Sequence, residues 1–195
     1  MNNKGFTMIE LLAAVLILGI LTTVALPNIF RIMSDSKADK YIDDAKKLIS
    51  NADYKMRVNS AYITKPASGR CIAMTMSYLD GPEFDSAPEG GQYNREYSYV
   101  LIKSLDGKGK YEFTVTLVED VRAGKKNKAG NEIESSETSF KGINLAKQAD
   151  LKKKNARTLV NGIPRDSIKL YNQGGCTVSK LYSLDPTEAN KRPGT

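Results

Sequence analysis

The most constraining feature of this chain is its start. After the short polar stretch Met1-Asn2-Asn3-Lys4-Gly5, residues Phe6 to Leu26 run for 21 positions with one charge, Glu10, and only Thr7, Thr22 and Thr23 as other polar side chains. A helix of that length reaches about 32 Å, which matches the roughly 30 Å hydrocarbon core of a bilayer. Three uses compete for such a segment. A secretory signal peptide would end at small residues, and Thr23-Val24-Ala25 has that form; cleavage there would release a secreted binding protein beginning at Leu26. A plain transmembrane anchor is the second use. Neither accounts for Glu10, because a carboxylate in an apolar helix costs about 2.5–3.5 kcal/mol near the bilayer centre and somewhat less near an end. The third use supplies a partner. A cut between Gly5 and Phe6 would create an α-amino group four residues, about one helical turn, from Glu10. A neighbouring identical helix, staggered along the axis, would present that amine to the carboxylate. A paired buried ion is tolerated where a lone one is not, so Glu10 would fix the register between copies.

The run Gly5-Phe6-Thr7-Met8-Ile9-Glu10-Leu11-Leu12, followed by an apolar helix, resembles the processing site of type IV prepilins and the related pseudopilins. Glycine, aromatic, glutamate and apolar length must all coincide for that likeness. It implies that a prepilin peptidase cuts after Gly5 and methylates the new amine of Phe6, that Glu10 is the family's assembly glutamate, and that Pro27 falls where many pilins carry a helix-kinking proline. The partners it implies are the lipid bilayer before assembly, the peptidase, a membrane assembly platform, other pilins, and further copies of this chain in a helical filament. The expected function is therefore a structural subunit of a type IV pilus-like filament, a single-pass membrane protein first and a cell-surface filament later. A pseudopilin of a type II secretion-like system and a minor pilin of a DNA-uptake pilus are the alternatives. One departure stands out: Lys4 alone precedes the apolar run, whereas Arg31, Lys37, Lys40, Lys46 and Lys47 follow it, against a simple positive-inside count.

Beyond the apolar run the helical signal persists. Ile42, Ala45, Leu48 or Ile49, Ala52 and Met56 recur at three- and four-residue steps, with Asp43, Asp44, Lys46, Lys47, Ser50, Asp53 and Lys55 between them, the pattern of an amphipathic helix. One helix from about Phe6 to near Asn59 is predicted, weakened at Gly19 by propensity and at Pro27 by the lost amide hydrogen, where a kink or local melting is expected. The rest reads as antiparallel strands: Ile72 to Tyr78, Tyr97 to Leu105 and Tyr111 to Val121, the last two joined by a hairpin at Asp106-Gly107-Lys108-Gly109-Lys110. Alternation of Tyr111, Phe113, Val115 and Leu117 with Glu112, Thr114 and Thr116 predicts a sheet with one face on the helix and the other in water. Residues 81–95 and 122–141 read as exposed loops, 144–160 as a short helix, 168–171 and 177–182 as late strands, and 185–195 as a tail with little to bury. The fold class is α+β: a leader over 1–5, a membrane and assembly helix over 6–26, its amphipathic continuation over 27–59, and a β-rich head over 60–195.

Composition narrows the chemistry. The chain has no His and no Trp and only two Cys, which excludes imidazole acid–base catalysis, Ser-His-Asp and Cys-His nucleophiles and zinc sites of the Cys/His kind. Glu119 and Asp120 are adjacent and would face opposite sides of a strand, so they make no catalytic pair. No catalytic residue, metal or cofactor is expected, and the chain does not read as an enzyme. Cys71 and Cys176 would pair in an extracytoplasmic setting, tying the first strand to the last; two separate buried thiols are the alternative, since sequence shows no geometry. The net charge of +7 lies wholly between Arg122 and Lys169, where twelve Lys/Arg face five acids, while the remainder balances at 17 against 17. Lys152, Lys153, Lys154 and Arg157 could contact the phosphates of nucleic acid, but no aromatic interleaves them as a stacking platform requires. A solvated surface is the simpler account.

Overall fold

Helix α1 spans Met8–Val58 and is continuous through Gly19 and Pro27. The computed structural model describes residues 7–59, 61–79, 84, 86–120 and 140–191. The chain divides into two units, Met1–Ser36 and Lys37–Thr195.

In the first unit every side chain described from Thr7 to Ser34 is exposed. The helix includes an 18-residue stretch of mean hydropathy 2.5, none of it buried, long and apolar enough to cross a membrane. The Thr22 and Thr23 hydroxyls donate to the carbonyls of Leu18 and Ile20, both at 2.7 Å. Bonding back to the preceding turn spares an apolar medium two bare hydroxyls. These bonds do not reach the Thr23 carbonyl, the group that an amide at Pro27 would have engaged.

In the second unit α1 buries Ala38, Tyr41, Ile42, Ala45, Leu48, Ile49, Ala52 and Met56, the stripe its periodicity demands. They share one core with Ile72 and Met74 of β1 (Cys71–Thr75), Val100 and Ile102 of β3 (Tyr99–Ser104), Phe113, Val115 and Leu117 of β4 (Tyr111–Asp120) and Ile143 of β5 (Phe140–Lys147). With β2 (Gln92–Tyr93), β6 (Val160–Ile163) and β7 (Val178–Tyr182), the described residues form a seven-stranded sheet of order β6-β5-β4-β3-β1-β7, with β2 beside the end of β4. All pairings are antiparallel except β1 with β7, which is parallel. The Cys71–Cys176 disulfide closes that parallel pair, with Cα atoms 6.0 Å apart.

The β3–β4 hairpin forms as its alternation predicts. Its turn is closed by Asp106 Oδ1, which accepts the amides of Lys108, Gly109 and Lys110 at 2.8, 3.1 and 3.0 Å. A bulge separates Val115 from Leu117 in the β4–β5 ladder. Opposite it, Gly142 has φ +155° and a Cβ there would lie 1.9 Å from the Leu117 carbonyl oxygen, so the close approach of the two strands requires glycine.

Several expectations fail, and one of them is that the far face of the sheet is open. Tyr99 and Leu101 pack with Ala73, Leu145, Tyr171, Val178 and Leu181, and Tyr97 and Val118 pack with Phe140, Ile163, Ile168 and Leu170, so much of that face is covered, with Thr116 buried and only Glu112 and Thr114 of the expected polar positions half-exposed. The strand expected over Ile72 to Tyr78 stops at Thr75 and turns into α2 (Met76–Leu79). Residues 144–147 belong to β5; helix occurs only at α3 (Ala156–Leu159), after two 3-10 turns, and the chain then enters β6. Ile168 and Leu170 are buried without forming a strand. Within the segment expected as an exposed loop, Phe84, Ala87 and Tyr93 are buried, and at the tail α4 (Pro186–Asn190) buries Ala189. In the other expected loop, Phe140 and Lys141 open β5; residues 121–139 lie outside the described residues.

Candidate assembly site

Glu10 sits in the first turn of α1 and forms a reciprocal cap with Thr7. The Thr7 amide and hydroxyl both donate to Glu10 Oε2 at 2.9 Å, and the Glu10 amide donates to Thr7 Oγ1 at 3.4 Å. This is a capping box: it satisfies two donors that the start of any helix leaves without intrahelical partners. Thr7-Met8-Ile9-Glu10 spells that pattern in the sequence, and the intermolecular role expected for Glu10 obscured its local one. The cap also gives the carboxylate hydrogen-bond partners within its own chain, which lowers the cost of an acid in apolar surroundings. Gly5 and Phe6, the expected cleavage and methylation positions, lie outside the described residues.

Around this cap the helix offers only apolar side chains. Met8 and Ile9 are 84% and 77% exposed, and Leu11, Leu12, Val15, Leu16, Leu18 and Leu21 are likewise open on all sides of the axis. A one-sided stripe would pack against a single protein surface. An all-round apolar helix needs either lipid or a bundle of similar helices.

The second expected site, the basic turn, is partly neutralised. Lys153 pairs with Asp43 at 3.1 Å, and that carboxylate holds the Lys153 ammonium above its ordinary range. Lys152, Lys154 and Arg157 are exposed.

A third cluster, unmarked by any local pattern, lies where Lys37 begins the second unit. Asp44, expected on the solvent side of α1, is buried and accepts from Tyr93 Oη at 2.8 Å, with Lys40 and Lys47 at 3.6 and 3.7 Å. Glu119 is fully buried and accepts from the Tyr41 hydroxyl, from the Glu89 amide at 3.1 Å and from the Gly91 amide at 2.9 Å. Burial, reinforced by the neighbouring carboxylates, pushes both tyrosines far above their ordinary range, so both stay protonated and able to donate. Gly91 can approach because it lacks a Cβ, which would fall 2.0 Å from the Asp120 carbonyl oxygen. Glu89 in turn bridges Lys37, at 2.7 Å, and Lys141. Burial works to raise the Glu89 carboxyl, but the two ammonium groups overcome it and hold it below its usual range. A tyrosine at a helical a-type position and a glutamate ending an apolar strand were the available signals, and neither identifies the other as its partner. The described residues contain no group of three His, Cys, Asp or Glu side chains suited to a metal ion.

Residues 1–26 match the family model described as the prokaryotic N-terminal methylation motif. That motif supports a type IV pilin-like prepilin, and together with the apolar helix it fits a membrane-anchored precursor. No curated protein and no solved structure matches the chain.

Proposed function

We propose that this protein is a structural subunit of a type IV pilus-like filament. The precursor is held in the membrane by α1, cut after Gly5 and methylated on the amine of Phe6. It then leaves the bilayer and polymerises through the apolar half of α1, with the head displayed at the cell surface. The observation that carries this reading is the conjunction of the methylation motif over residues 1–26 with a helix whose apolar surface is exposed all round from Met8 to Met33. Lipid and like helices are the two surroundings that satisfy such a surface, and a subunit that moves from one to the other needs both. Because lipid tails are as apolar as leucine, the exchange gains little from hydrophobicity alone and depends on close packing and on polar contacts. Glu10 supplies the polar contact: its Oε2 is occupied by Thr7, and the amine of a neighbouring Phe6 completes the pairing and sets the axial step.

The role needs no active site, and we assign none. N-terminal sequencing of the mature protein tests the processing step, where a start at methylated Phe6 is expected and a start at Leu26 would end the proposal. Glu10→Ala should leave membrane insertion intact while abolishing or greatly reducing filaments seen by electron microscopy. Normal filaments from that variant would remove Glu10 from its assigned role.

A further inference from the structure

The last turns of α1 and the β3–β4 hairpin enclose an open cleft of about 650 Å³. Asp53 and Arg57 reach it from α1, Lys65 from the connection that follows, and Lys110 and Tyr111 from the hairpin. Three cations therefore meet one acid. Asp53 Oδ2 accepts from Arg57 Nε and Nη2 at 3.0 and 2.9 Å, which leaves further guanidinium donors uncommitted. Lys65 and Lys110 are exposed and form no ion pair among the described residues. The nearby acid of the hairpin, Asp106, is committed to its own turn, where three backbone amides hold its carboxyl below the usual range.

Two aromatic side chains, Tyr111 and Phe113, line the cleft beside these cations, Tyr111 with its base against the core. The run from Lys152 to Arg157 has no such ring within it. Ammonium and guanidinium groups hold phosphates, aromatic faces stack on bases, and the two together are what a nucleotide unit requires.

The geometry points to a nucleotide-binding cleft, with phosphate at Arg57, Lys65 and Lys110 and the base against Tyr111. The ligand chemistry is an anionic phosphate joined to a planar ring, supplied either by a free nucleotide or by a single strand. The inference does not depend on filament assembly, and the test keeps the two apart by using the full chain in neutral detergent micelles.

Fluorescence anisotropy with a labelled short oligodeoxythymidylate and with labelled AMP measures binding against salt. Binding of the strand alone assigns the cleft to polymer, and binding of both assigns it to the nucleotide unit itself. Lys65→Gln and Lys110→Gln should each flatten the plot of log affinity against log salt by about 0.7 for the strand. Tyr111→Leu, which keeps apolar bulk and removes the ring, should weaken binding several-fold. Lys152→Gln with Lys154→Gln should change nothing. The proposal is overturned if neither probe binds, if the Lys65 and Lys110 variants bind like the parent, or if neutralising Lys152 and Lys154 costs as much. It is also overturned if heparin binds as tightly as the strand and Tyr111→Leu has no effect, since the surface would then only exchange polyanions. Unchanged thermal unfolding of each variant separates lost binding from lost fold, and filament imaging reports on assembly independently.

Discussion

One helix, two halves, opposite environments: from Met8 to Met33 the described side chains of α1 are exposed on every side, and from Ala38 to Met56 a single stripe is buried. Both halves are helical despite Gly19 and Pro27 in the first, so backbone conformation does not separate them. What separates them is the arrangement of apolar residues around the axis. A stripe finds its partner within the same chain and becomes part of a core. A full circumference cannot be satisfied by one face of one sheet, so its partner must be outside the molecule. The head is thus stabilised by internal packing, and the first unit by its surroundings.

The comparison can be broken or sharpened by experiment. The largest effect is expected from Cys71→Ser with Cys176→Ser: opening a link between residues 105 positions apart should cost the head about 4.7 kcal/mol in the chain-entropy account, read from urea unfolding of the full chain in micelles. Leu48→Ala, at a fully buried position, should destabilise the head by about 2–5 kcal/mol. Leu12→Ala, in the exposed half, should leave that unfolding midpoint unchanged and act only on assembly. If Leu12→Ala shifted the head as much as Leu48→Ala, the division of labour within α1 would be wrong. Tyr93→Phe removes the donor to buried Asp44 and should cost about 1–3 kcal/mol.

A pH series tests the bridge at the start of the second unit. The Glu89 carboxyl is depressed in the folded state, so its contribution is present above the ordinary value of 4.5 and is lost as pH falls through the lower folded value. Glu89→Gln should therefore melt below the parent at neutral pH, with the gap closing in acid; a gap that persists or widens in acid would contradict the bridge. The smallest effect is expected from Thr7→Val, which deletes the cap and should cost about 1 kcal/mol, seen as faster amide exchange in the first turn of α1.

Much of the head was legible only in outline. The stripe from Ile42 to Met56 and the β3–β4 hairpin follow from local periodicity, because side chains at steps of three and four, or of two, share a face whatever the rest of the chain does; its extension to Ala38 and Tyr41 appears only in the structure. The β5–β6 pair was not legible, since Phe140 to Lys147 mixes a positive-φ glycine, a positive-φ leucine and a bulge partner, and no simple alternation survives that combination. Ile168 and Leu170 look like strand residues because they are apolar and bulky. They are buried as irregular chain covering the far face of the sheet, a role that leaves no periodic trace.

The exposed apolar half of α1 was nearly all in the sequence. Apolar length, one acid and a preceding glycine are properties of consecutive residues, and the solvent they demand follows from hydration alone, so no fold had to be known. The same holds for the cap of Thr7 on Glu10, whose spacing is local. Tertiary structure alone decided which charges in the head are buried. Tyr41 and Glu119 are 78 residues apart and Tyr93 and Asp44 are 49 apart, and a buried carboxylate is stable only where distant donors converge on it. Such convergence belongs to the packed chain and is written in no single segment of it.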